Sequence, residues 1–139
     1  MTLRPRLTAS DWRRVIGASL VQVLTAFGLR IMSLPTVRTS AARLRPLVRH
    51  LLRGPEERVI WAIEASGRRL PGLSTCLVRA VVAEMALGSP QRPLRLTIGI
   101  KRSEGDVRGH AWVARGGHVL IGGATADQYV PLVAWDSLF

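Results

Sequence analysis

Apolar positions set out most of the chain before any chemistry is considered. Val15, Ile16, Leu20, Val23, Leu24 and Phe27 recur at helical spacing within a stretch interrupted by Gln22 and Thr25 and closed by Arg30. A helix over about residues 8–33 follows, opened at Thr8 or Ser10 with Asp11 in its first turn and ended by Pro35. A short arginine-rich helix or turn is expected at about 40–52, and Gly54-Pro55 punctuates the chain. Glu56 and Glu57 open a helix running to about Arg69, acidic at its start and basic at its end as the helix dipole favours. After Pro71-Gly72, Ser74 or Thr75 caps a further helix with apolar positions Leu77, Val78, Val81, Val82 and Met85. It is apolar on most sides, which predicts central burial, and Gly88 closes it.

Beyond Pro93 the period falls to two. Leu94, Leu96, Ile98 and Ile100 alternate with smaller or more polar residues and read as a strand. A turn at Glu104-Gly105-Asp106 leads to a second strand, about Val107 to Arg115. Gly116-Gly117 forms a tight hairpin, His118 to Ile121 returns, and a last strand is expected at Tyr129 to Val133. Helices followed by an antiparallel meander give an α+β fold, with N-terminal helices and a central Cys-bearing helix packed on a small sheet. At 139 residues the chain suits one compact domain. Within it, residues 1–54 form an N-terminal helical segment and 55–139 the core.

Composition narrows the classes of function. Cys76 is the single cysteine, so it has no internal disulfide partner and is a free thiol. With no cleavable signal sequence evident, a reducing cytoplasmic location is expected. The formal net charge is +11 and almost all of the cations are arginine, Lys101 being the only lysine. These arginines are scattered rather than interleaved with aromatics, so a peptide or protein partner is expected rather than nucleic acid. The Val15–Leu29 stretch is shorter than the ~20 residues a membrane span requires. It reads as an amphipathic helix packed on the domain or, alternatively, as a peripheral membrane or partner contact through residues 12–30, with Trp12 and Arg13-Arg14 as anchors.

Cys76 falls in the first turn of the central helix. Unpaired backbone N–H groups and the positive end of the helix dipole suit a sulfur that must carry negative charge, and the same N–H groups suit an oxyanion. Such a nucleophile needs a base. His50 has no evident partner and reads as a surface residue. In the hairpin register set by a two-residue turn, Arg115 pairs with His118, Ala114 with Val119 and Trp112 with Ile121. His110 then shares a face with Trp112, Val119 and Ile121, expected to meet the helices, while His118 points the other way. His110 is therefore the expected base. Asp127 is the nearest downstream carboxylate and the expected orienting residue. Trp112 shields the pair, binds substrate, or is a plain core residue. No metal site and no cofactor are expected. A non-catalytic basic module for a peptide, nucleic acid or membrane partner is the rival reading.

Arg68-Arg69-Leu70-Pro71-Gly72, Ser74-Thr75-Cys76-Leu77-Val78-Arg79-Ala80, and Gly109-His110-Ala111-Trp112-Val113 with the Gly-Gly hairpin resemble the lasso peptide biosynthesis B2 proteins. These are leader peptidases of ribosomally made, post-translationally modified (RiPP) peptides, related to the transglutaminase-like superfamily. The similarity covers about residues 55–135, and the short length looks like the split form with a separate B1 leader-binding protein. It implies a papain-like, transglutaminase-type core and a cysteine protease (hydrolase) activity with Cys76 and His110 as nucleophile and base. The implied partners are the precursor peptide, the B1 protein and the lasso cyclase. The family's acid stands about where Gly122 and Gly123 lie here, a departure from the pattern.

Overall fold

In the computed structural model, which describes residues 7–70, 72–89 and 91–136, four helices precede a four-stranded sheet. Helix α1 (Ala9–Ile31) begins with a capping box, in which Thr8 Oγ1 accepts from Asp11 N–H and Asp11 Oδ2 accepts from Thr8 N–H. Asp11 also meets Arg14 at 2.9 Å, and the Thr8 backbone N–H holds its carboxyl below the usual range. Helix α2 (Leu34–Leu51) corrects the sequence reading, which placed only a short element at 40–52. Ser33 caps this helix, and Pro35 sits in its first turn instead of merely ending α1. Proline lacks only an N–H that a first turn leaves unpaired anyway, so it starts a helix as readily as it stops one. Helices α3 (Glu56–Arg68) and α4 (Cys76–Leu87) follow the expected pattern.

Strands β1 (Arg95–Ser103), β2 (Asp106–Arg115), β3 (His118–Ile121) and β4 (Val130–Asp136) form an antiparallel sheet in the order β3-β2-β1-β4. Gly116 and Gly117 have φ of 56° and 82°, the left-handed pair that a two-residue hairpin needs. The expected Arg115–His118 and Ala114–Val119 pairs are present. Beyond them a bulge intervenes, and Ile121 lies opposite Val113, not Trp112 as the unbroken register required. Ile121 therefore joins Ala111 and Val113 on the core face, whereas His110 and Trp112 alternate to the other side. Ala111 and Val113, not Trp112, are thus the β2 residues in the helix-packed core, and the expected grouping of His110 on one face with Ile121 does not hold.

Helix α4 lies at the centre, against the other helices on one side and β1, β2 and β3 on the other. Val81, Val82 and Ala83 are fully enclosed, as its all-round apolar pattern demanded. Two buried polar ties fix it. Gln22 of α1 donates to Ile63 O (3.1 Å) and Ser66 Oγ (2.6 Å) of α3, and accepts from Ser74 Oγ just ahead of α4. Arg38 of α2 binds Glu84 of α4 through Nη2 (2.7 Å) and Nε (3.3 Å), both side chains being buried, and reaches Asp136 O at 3.1 Å.

Burial pushes the Glu84 carboxyl up, opposed by Arg38. A raised native value means that the folded state holds this proton more tightly than the unfolded chain. Glu84's contribution to stability is thus full below the ordinary carboxylate range and is lost as pH rises through the raised value. Arg38→Ala would strand the carboxylate, and we expect it to cost about 3–5 kcal/mol near neutral pH. Urea unfolding of the variant should show that loss shrinking as the pH is lowered; a pH-independent cost would contradict this account of the pair.

Candidate active site

Cys76 is the first residue of α4, half-buried and free. Thr75 caps the helix, its Oγ1 accepting from Val78 N–H at 3.2 Å. The N–H groups of Cys76 and Leu77 are then the first-turn donors without an intrahelical acceptor. They sit beside the sulfur, where the oxygen of an attacked carbonyl would collect charge. The Gln22–Ser74 hydrogen bond holds the segment entering the helix, so the thiol is anchored from α1 as well as by its own cap.

His110 lies on β2 on the side where β3 has ended, since β3 pairs only with Val113 to Arg115. Its Nε2 is 2.8 Å from the carbonyl oxygen of Gly122. A carbonyl oxygen only accepts, so this hydrogen bond requires the proton on Nε2 and leaves Nδ1 as the basic nitrogen of the neutral ring. Gly122 has φ 82°, and a Cβ there would come within 2.8 Å of Ala111 O, 3.0 Å of Trp112 Cβ and 3.2 Å of His110 Nε2. No side chain fits at that point, and the backbone carbonyl occupies the orienting position instead. The imidazole also contacts two rings, Trp112 at 5.8 Å and Tyr129 at 5.0 Å between centroids.

Cys76 and His110 line one pocket of about 240 Å³, together with Glu64, Arg79, Ala111, Ile121, Gly122 and Gly123. A thiol at a helix start and an imidazole of fixed tautomer in one cleft are the parts that nucleophilic attack on an acyl group requires. A family model described as the transglutaminase-like superfamily matches residues 18–134. The chain belongs to that superfamily. No curated protein and no solved structure matches it. The superfamily match takes in most of α1 and all of α2 as well as the pocket, and four helices on a four-stranded antiparallel sheet are consistent with a transglutaminase-like core.

Of the residues expected from sequence, Cys76 and His110 are brought together. Trp112 is buried beside the imidazole, its ring edge lying where a Cβ on Gly99 would sit. Asp127 belongs to a 3-10 turn (Gly123–Gln128), and its side chain lies outside the described residues. His118 is exposed at the hairpin and His50 on α2, as expected of both.

Two pocket-lining residues and one ring neighbour of His110 escaped the sequence reading. Glu64 comes from α3, and no local motif ties it to Cys76. Arg79 follows Cys76 by three residues, one helical turn along the same face, so its spacing was a usable signal. Its Nε is buried without a hydrogen-bond partner among the described residues. Tyr129, the only tyrosine, packs on His110 from the segment entering β4.

Nitrogen NMR of the histidine rings, at a pH where His110 is neutral, is expected to show the proton on Nε2. Gly122→Ala should abolish that preference and cost about 1–3 kcal/mol of stability, because alanine is strained at a left-handed position. Protonation at Nδ1 in the unaltered protein would contradict the assignment.

Proposed function

We propose that this superfamily member is a cysteine peptidase that removes the leader peptide from a lasso peptide precursor, acting with a separate leader-binding B1 protein. The observation that carries the reading is that Cys76 and His110 share a cleft in which His110 Nε2 is bonded to Gly122 O. The motifs around Cys76 and His110, which resemble those of B2 proteins, supply the substrate class.

In this reading the Cys76 sulfur, having passed its proton to His110 Nδ1, attacks the carbonyl carbon of the scissile bond. The N–H groups of Cys76 and Leu77 receive the oxyanion. Collapse of that intermediate breaks the C–N bond as His110 returns the proton to the departing amine, which becomes the N-terminus of the core peptide. Water then attacks the thioester with His110 as base, releasing the leader as a carboxylic acid and restoring the thiol. The Gly122 carbonyl holds the ring through both proton transfers. It is a neutral acceptor, so it orients the imidazolium without the full charge of a carboxylate. The free N-terminus of the core is the group that the lasso cyclase consumes, which places this step before ring closure. The single free thiol fits a reducing cytoplasm.

Incubated with B1 protein and precursor, Cys76→Ala is expected to leave the precursor intact by mass spectrometry. His110→Ala should lose on the order of 3–5 kcal/mol in kcat/KM, since nucleophile and base act as a unit. Full cleavage by the Cys76→Ala variant would overturn the proposal.

A further inference from the structure

The α1–α2 hairpin carries an apolar face that the catalytic reading leaves unused. On α1, Trp12, Ile16, Leu20, Leu24, Phe27 and Ile31 recur at intervals of three or four residues and form one stripe, with Ile16 66% and Ile31 80% exposed. From Trp12 to Ile31 the stripe runs about 28 Å along the helix. Leu44 and Leu47 of α2 are also exposed and flank it across an apolar groove of about 190 Å³. Monomeric soluble domains rarely leave contiguous apolar surface on this scale open to water. The helix is long and apolar enough to cross a membrane. Its opposite face, however, is bound into the domain by Gln22 and by the Asp11–Arg14 pair.

Charge indicates what covers this face. Residues 1–55 contain ten arginines and one carboxylate, Asp11, and so hold nine of the eleven net positive charges. Asp11 is itself buried against Arg14. Arg13 stands one turn from Ile16, Arg30 one turn from Phe27 and Arg43 one turn from Leu47, so cations edge the stripe at both ends and along α2. A protein interface of ordinary composition has a rim of mixed polar groups. The charged groups on this rim are all cationic, with no acidic side chain on α2 and none exposed on α1.

We propose that the α1–α2 face seats the domain on an anionic lipid surface. The stripe enters the boundary between headgroups and acyl chains, and Arg13, Arg30 and Arg43 reach lipid phosphates. The helix lies in the plane of the surface and does not span the bilayer. No residue of this face lines the Cys76 pocket, so docking leaves the cleft open, and the inference stands or falls independently of the peptidase reading.

Cosedimentation of the full chain with phosphatidylcholine vesicles, with and without phosphatidylglycerol, tests this. Binding is expected on the anionic vesicles, at least roughly tenfold above the neutral ones, and should weaken as salt rises from ~50 to ~300 mM. Ile16→Ser/Phe27→Ser and, separately, Arg30→Glu/Arg43→Glu should each abolish most of the binding; all four positions are solvent-facing, and circular dichroism verifies that the variants fold. Equal binding to both vesicles, no binding, or binding unaffected by either double variant would overturn the proposal. So would a dimer in gel filtration that Ile16→Ser/Phe27→Ser dissociates, since the covering surface would then be a second copy of the chain.

Discussion

The hydrogen bond from His110 Nε2 to the Gly122 carbonyl decides which nitrogen of the imidazole is basic, and the chemistry of the cleft depends on it. The bond exists because the chain turns out of β3 through a left-handed residue with no room for a Cβ. An acid at this point would need a side chain that the backbone has displaced, so the peptide group does the orienting. A carbonyl fixes a tautomer as well as a carboxylate does, but it offers the imidazolium only a dipole. The Trp112 and Tyr129 rings complete the restraint by limiting how the imidazole can rotate.

Cys76, the proposed nucleophile, is held by a different part of the fold. Cys76 owes its place to α4, which is gripped from three sides: by Gln22 and Ser74 at its entry, by Arg38 at Glu84, and by the sheet beneath. Both polar ties reach α4 from the N-terminal helices. These helices therefore complete the packing around α4, consistent with a superfamily match that begins inside α1. Buried polar links of this kind favour one arrangement of helices over near-equivalent ones, since each alternative leaves a buried group unpaired.

Much of this was legible from residue pattern. The helical period of α1, the acidic start of α3, the Thr75 cap and the alternation in β1 each reflect a local preference that the tertiary structure keeps. Two features were not legible, for physical reasons. Pro35 carries the same local signal whether it ends one helix or begins the next, and only the Ser33 cap and the packing of Val37 and Ala41 settle it. The bulge between Val113 and Ala114 is a one-residue slip that inverts the facing of Ile121, and turn residues alone do not encode it. In the site, the place of Cys76 was readable from the Thr75 cap that starts α4, whereas His110 was picked through a register that the bulge breaks. Glu64 and Tyr129 enter from distant elements, and Gly122 acts through its backbone, which leaves no side-chain signature.

The most direct measurement of the central claim is the rate at which iodoacetamide alkylates Cys76 in the native protein, compared with His110→Ala and with the unfolded chain. If the thiol and the imidazole work as a pair, the native protein should react roughly tenfold faster or more than the His110→Ala variant. A thiol that is inert until the protein unfolds, or that reacts at the same rate with and without His110, would contradict the account.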